Sequence, residues 1–353
     1  MLSDTDYGEA DGRRVRLYTL TNAAGMRAGI TNFGATVTEL WAPDRDGRHA
    51  DVVLGYDTLD EYRRGECYFG CMVGRCANRI ARGRFDLDGE RFTLAANNGP
   101  NHLHGGVRGF SKVVWDAEPL RLGDGDSVRM TYRSRAGEEG YPGTVEVSVQ
   151  FALTEAGELR IEIEAETDAP TVVNIAHHGY WNLGGHESGT IREHELTLHA
   201  DRYTPVDATF IPTGELAPVE GTPFDFREPT PIGRRLDALA RVGPTDPGGY
   251  DVNYVLNGEP RRLRAAARVR DARSGRVMEI RTDQPGVQLY SGNYLAGEPG
   301  KGGARYPKHA GLCLETQHFP DAVNRRALPG WPDPVLRPGQ RYRHTMVHAF
   351  SAR

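Results

Sequence analysis

The sequence predicts an all-β fold, a large antiparallel β-sandwich with few short helices. Three observations carry that expectation. Apolar and polar side chains alternate with a two-residue period along much of the chain, glycine and proline interrupt the alternation at turn-forming pairs, and the strand–helix–strand rhythm of a parallel sheet is missing. The 353 residues are 38% hydrophobic and 26% charged, enough apolar material for a sizeable core and too little net charge for disorder. No low-complexity or charge-run linker divides the chain, so one domain over 1–353 is expected.

In chain order, residues 57–64 can form a helical turn or two. Strands are then expected where Val128, Met130 and Tyr132 share a face, and where Val145, Val147, Val149 and Phe151 do. The clearest case follows: Leu159, Ile161, Ile163 and Ala165 face one way while Arg160, Glu162, Glu164 and Glu166 face the other, the pattern of a half-buried strand. Leu196 with Leu198, and Val287 with Leu289 and on to Ser291, continue the series. The best helix candidate is 232–242, where Ile232, Leu236, Leu239 and Val242 keep one side. Asp88-Gly89, Pro142-Gly143, Ser274-Gly275 and Pro338-Gly339 are reversals between runs.

Charge and motif content exclude several classes of function. The formal net charge of −5 comes from 43 basic and 48 acidic residues interspersed along the chain, so no basic stripe can track phosphates and nucleic acid is not an expected partner. The first residues, Met1-Leu2-Ser3-Asp4-Thr5-Asp6, lack the basic and apolar regions of a signal peptide, and no apolar run reaches about 18 residues. No membrane association and a cytoplasmic location are the resulting expectations. With neither a Rossmann glycine fingerprint nor a P-loop, no nucleotide cofactor is expected. Cys67, Cys71, Cys76 and Cys313 form no Cys-x-x-Cys pair, so they read as reduced, structural thiols and no metal is expected on them.

Five segments carry polar, aromatic and histidine residues that strand-building does not require. They are Gly74-Arg75-Cys76-Ala77-Asn78-Arg79-Ile80, Asn101-His102-Leu103-His104-Gly105-Gly106, Asn174-Ile175-Ala176-His177-His178-Gly179-Tyr180-Trp181-Asn182-Leu183, Gly249-Tyr250-Asp251-Val252-Asn253-Tyr254 and Leu312-Cys313-Leu314-Glu315-Thr316-Gln317. Each is a candidate wall of one polar pocket. His102 and His104 are expected to point apart, which makes them poor partners on one metal. Strand alternation turns His177 away from whatever His178 faces. Trp181 reads as core packing.

These segments, in this order, resemble the aldose 1-epimerase family, also called galactose mutarotases. The likeness runs from about Ile30 to the C-terminus. It includes the family's His-x-Tyr-Trp-Asn-Leu block from His178 onward, Tyr141-Pro142-Gly143, Gln284-Pro285-Gly286-Val287-Gln288 and Tyr306-Pro307-Lys308-His309. Two departures are local: Ala176-His177 stands where Thr-Asn is usual, and Cys76 where valine is. They bear on substrate preference rather than on the reaction. The resemblance implies a galactose-mutarotase-type sandwich without cofactor that interconverts the α and β anomers of a small free aldose, galactose or glucose. It assigns the general acid to His178 and the general base to Glu315, with sugar contacts from Asn78, Arg79, His104, Tyr180, Asp251 and Gln288.

The chemistry needs such a set independently. Ring opening removes the proton from the anomeric O1 hydroxyl and delivers one to ring oxygen O5, so an acid and a base act on opposite sides of C1. An imidazole near neutrality suits O5. A carboxylate is a weak base toward a hydroxyl unless burial raises its pKa, which is expected of Glu315. Arg79 and His104 would stabilise developing charge while Asp251 orients hydroxyls. Three rival readings follow from the same residues: a non-catalytic sugar-binding sandwich, which needs no acid–base pair; a zinc hydrolase, for which ligand spacing is lacking; and a family relative acting on another sugar or a sugar phosphate. Whether the chain is a monomer or a homodimer is not legible.

Overall fold

The computed structural model describes residues 1–122 and 125–353. In it the expected alternation becomes a register. Strands Val145–Leu153 and Glu158–Thr167 pair antiparallel with Val149 opposite Ile163 and Phe151 opposite Ile161. Both rows are buried, whereas the other face carries Arg160, Glu162 and Glu164 toward solvent. Burying one such aliphatic side chain contributes roughly 1.5–3 kcal/mol, so a one-residue slip that exposed the row would be prohibitive.

Among the described residues, these strands belong to a nine-stranded antiparallel sheet. Its outer edge is Asp116–Leu122 beside Gly125–Ser134, and the last strand of the chain, Tyr342–Ala352, inserts between Glu158–Thr167 and Arg276–Thr282. Arg264–Arg270, Glu195–Leu198 and Thr230–Pro231 complete it. A five-stranded meander, Leu2–Ala10, Arg13–Thr21, Arg27–Thr31, Thr36–Pro43 and His49–Asp51, packs on this sheet. A second five-stranded sheet runs Ala217–Pro218, Arg202–Tyr203, Asp251–Val255, Gly286–Tyr290 and Cys313–Gln317. One buried cluster joins all three through Leu20, Ile30 and Val37, then Met130, Val149 and Ile161, then Val252, Leu289 and Leu314.

Helix is scarce, as expected. Residues Leu59–Arg64 form a short α-helix that Thr58 and Glu61 close with a capping box, acidic at its start and basic at its end. The expected helix over 232–242 is corrected: only Ile232–Ala238 is helical, as 3-10 turns. Gly233 lies against Arg192 where a Cβ would sit 2.9 Å away, and Leu239 is already extended. Val242 belongs to a loop held by Asp246. Ser291 likewise lies just past its strand, where its hydroxyl caps Tyr250 and Asn293.

The second five-stranded sheet positions the site. Its strands Asp251–Val255, Gly286–Tyr290 and Cys313–Gln317 are largely buried on both faces, so their alternation separates polar from apolar rather than exposed from buried. Val252, Val287, Leu289 and Leu314 turn to the core. On the opposite face the register aligns Asn253 with Gln288 and Glu315, and Asp251 with Tyr290 and Cys313.

Candidate active site

That polar face floors a cleft of about 1080 Å³. The other walls come from the segments singled out in the sequence, and their backbones explain how they meet. Gly105 (φ +87°) lies so close to Gly74 that a Cβ would fall 1.8 Å from its carbonyl oxygen. Only glycine permits that approach, which seats His104 beside Asn78. There His104 N–H donates to the Asn78 carbonyl at 3.0 Å, and Asn78 N–H donates to His104 Nδ1 at 3.2 Å. Arg75 anchors the same loop from behind: its buried guanidinium donates to the carbonyls of Pro142, Gly143, Ser134 and Arg135, which explains the Tyr141-Pro142-Gly143 block. His102 is structural, bonded to the Ala95 carbonyl and the Tyr141 hydroxyl.

Of the residues expected in the site, Asn78, Arg79, His104, His178, Tyr180, Asp251 and Glu315 all line the cleft. Gln288 does not. It lies behind Asp251 and donates to Asp251 Oδ1 at 2.6 Å, while Arg79 pairs with Asp251 Oδ2 at 3.5 Å and with Asn98 at 3.0 Å. His177 turns inward between Trp181 and His348, away from the cleft. Alternation separates His177 from His178, whereas His102 and His104 would share a face in a strand and part only because His104, just past His102–Leu103, is left-handed (φ +51°); alternation did not find Tyr68, Asn98 or Cys313. Tyr68, in a left-handed conformation (φ +57°), stacks at 5.8 Å on one side of the His178 ring, with Tyr180 at 5.2 Å also in a stacked arrangement. Tyr68 carried no sequence signal beyond its nearness to Gly70, and Asn97-Asn98-Gly99-Pro100 reads as a plain turn.

His178 Nε2 and Glu315 Oε1 lie 3.7 Å apart, both buried. The two are side by side, a spacing that can serve two oxygens borne by one carbon. Burial pushes the Glu315 carboxyl up to about 8, helped by Asp251 and opposed by Arg79. Burial pushes the His178 imidazole down to about 4. Both effects disfavour charge. Glu315 Oε2 is buried without a partner among the described residues, at a cost of about 1–3 kcal/mol that a hydroxyl bound in the cleft would relieve; Gln288 Oε1, outside the cleft lining, is unpaired as well.

His104, His178 and Glu315 bring ligand atoms within 4.8 Å of one another, a geometry that a metal ion could occupy. The donor chemistry argues otherwise. Because His104 Nδ1 accepts from Asn78, its hydrogen is on Nε2, and a metal at that nitrogen would have to displace it. An N–H of this kind suits a sugar oxygen. All four cysteines are free, with burial raising each thiol above its ordinary value.

Fold and cleft together define a carbohydrate-acting β-sandwich, and the comparisons give it a family. Residues 16–349 match the aldose 1-epimerase family model. Galactose mutarotases of Bos taurus and Homo sapiens are each 48% identical over 327 residues, covering 92% of this chain and 91% of theirs. The aldose 1-epimerase of Escherichia coli K12 is 36% identical over the full length of both chains. An aldose epimerase homologue from C. elegans superposes with a TM-score of 0.86 at 33% identity, covering 95% of this chain and 98% of that one. The chain belongs to the aldose 1-epimerase family. It is an isomerase that interconverts aldose anomers.

Proposed function

We propose that His178 and Glu315 carry the anomerisation and that free galactose and glucose are substrates. The observation that carries the residue assignment is the buried pair at 3.7 Å, each member shifted toward neutrality. Glu315 takes the O1 proton as the C1–O5 bond breaks, and His178 delivers a proton to O5, leaving an open-chain aldehyde. Rotation about C1–C2 presents the other face of the carbonyl. On reclosure O5 returns its proton to His178 and O1 regains one from Glu315, so the enzyme ends as it began.

Between about pH 4 and about 8 the pair holds a single proton, which burial favours on Glu315. The working form moves it to His178. Sugar hydroxyls donating to the unpartnered Glu315 Oε2, with Arg79 across the cleft, favour the carboxylate and drive that transfer. Asn78, Arg79, His104, Tyr180 and Asp251 contact sugar, while Gln288 acts by holding Asp251. The galactose reading is supported by the names of the mammalian relatives. The test is polarimetric or NMR timing of anomer equilibration across a panel of aldoses and their 6-phosphates. Faster equilibration of a phosphorylated sugar than of free galactose or glucose would replace the substrate assignment.

One continuous core from Tyr18 to Phe350 supports reading 1–353 as a single domain. Among the described residues no helix is long and apolar enough to cross a membrane, and the free thiols support a cytoplasmic setting.

A further inference from the structure

Cys313 and Glu315 project from the same face of one strand and flank one imidazole. Glu315 Oε1 faces Nε2 of His178 at 3.7 Å, and Cys313 Sγ faces Nδ1 at 3.6 Å. The thiol is fully buried. We propose that Cys313 is a positioning residue: its sulfur accepts the Nδ1 hydrogen of His178 and fixes the ring's orientation, while giving the imidazolium no charged or strongly basic partner, so that His178 remains a strong acid toward O5.

The partner on the rear nitrogen of a working histidine is commonly a carboxylate or a carbonyl, either of which stabilises the imidazolium. Here it is a neutral sulfur, a weak acceptor. Burial, with Glu315 and Asp251 nearby, holds the Cys313 thiol far from ionising. Among the described residues the remaining groups around the ring supply no compensating charge, and a contact with the backbone of His178 itself offsets burial only in part. Tyr68 and Tyr180 stack on it, His104 meets it edge-on at 5.0 Å, and the Cys71 thiol on the adjoining loop is itself neutral. Asp251 is engaged by Arg79 and Gln288. Among the described residues Glu315 is therefore the one acidic group facing the ring directly.

The direction of the hydrogen follows from the reaction. The acid form of His178 carries hydrogen on both nitrogens, so Sγ must accept; a thiol that instead donated to Nδ1 would have to swing its hydrogen away, and Nδ1 gain one from elsewhere, each time the imidazolium formed. In the resting pair a protonated Glu315 needs a bare Nε2 to face, which again puts the hydrogen on Nδ1. Both states of the cycle leave the thiol contact unchanged.

The inference rests on His178 being the acid, yet its central claim is read without turnover. Nitrogen-15 NMR of histidine-labelled wild-type enzyme near neutral pH, with the His178 signals assigned through His178→Asn, is expected to give a protonated Nδ1 and an unprotonated Nε2. The opposite tautomer overturns the proposal whatever His178 does in catalysis, whereas an active His178→Asn enzyme would remove the acid assignment and leave the tautomer standing. In Cys313→Ser the hydroxyl oxygen is a better acceptor. Its His178 titration and the acid limb of kcat/KM are expected to move up by on the order of 0.5–1 pH unit, with kcat down a few-fold and KM little changed. Cys313→Ala, lacking any acceptor, should move the limb the other way. Unchanged limbs in both folded variants, with only a lower melting temperature, would reduce Cys313 to packing.

Discussion

Glu164 and Glu315 occupy equivalent places in strands of similar pattern, yet one is a surface charge and the other a buried acid. Glu164 lies on Glu158–Thr167 beside Arg341 and Arg343 at 3.6 and 3.2 Å, half-exposed to water. Glu315, two residues from Cys313 and two from Gln317, is 2% exposed. The difference arises outside the strands: the nine-stranded sheet leaves its polar face to solvent, while loops carrying Tyr68, His104 and Arg79 cover the polar face of the site sheet. Alternation records which side chains share a face, and the cover decides what that face becomes.

The comparison breaks most easily at the acids. Glu315→Gln keeps shape and loses the base, so it is expected to fold and to lose on the order of 10²–10⁴ in turnover. Glu164→Gln should leave turnover intact and change stability by about 0.5 kcal/mol or less. Near-native turnover in a folded Glu315→Gln protein would move the base elsewhere. The histidines offer the same contrast between adjacent positions. His178→Asn should cost a similar factor with sugar binding weakened much less, whereas His177→Asn, on the core side, should lower the melting temperature and leave turnover within a few-fold. An inactive His177 variant beside an active His178 variant would show the acid to be wrongly assigned.

A smaller effect separates the two acids by pH. Glu315 rises from 4.5 to about 8 on folding, so as pH climbs through that range the unfolded chain ionises first and the folded state loses stability. Glu315→Gln removes this loss, and its melting temperature should gain on wild type between about pH 5 and 9. His178 behaves in mirror image: its fall from 6.5 to about 4 costs stability as pH drops through that window, so His178→Asn should gain toward acid. Melting curves that run parallel across pH would contradict the burial of both groups. The smallest expected effect is none: prolonged EDTA treatment should leave the rate unchanged, and a metal-reversible loss would revive the histidine-metal site.

The fold was legible because its large sheet pays attention to only one solvent-facing side, so period-two patterns such as 159–166 translate directly into register. The walls of the site were legible as motifs, His178 and Glu315 among them. What composition and spacing could not supply was depth. Gln288 is paired opposite Glu315 on the same face, yet its amide is turned onto Asp251 and does not line the cleft, which spacing alone does not reveal. Tyr68 and Asn98 come from loops whose conformations are set by distant contacts, and the 232–242 helix stops early where Leu239 turns extended and Asp246 holds Val242 in a loop. Cys313 read as a buried hydrophobe, which it is; its second role depends on a ring 135 residues away.

That separation also orders events in time. The cleft exists only once the His178 segment, the Gly74–Gly105 crossing and the Glu315 strand have all docked, and Glu315 itself belongs to a sheet closed by non-local pairing. Chains dominated by such contacts close their loops late and slowly. Anomerase activity therefore reports completion of folding rather than collapse, and during refolding it should return with the slowest structural phase, after most strand signal has already appeared.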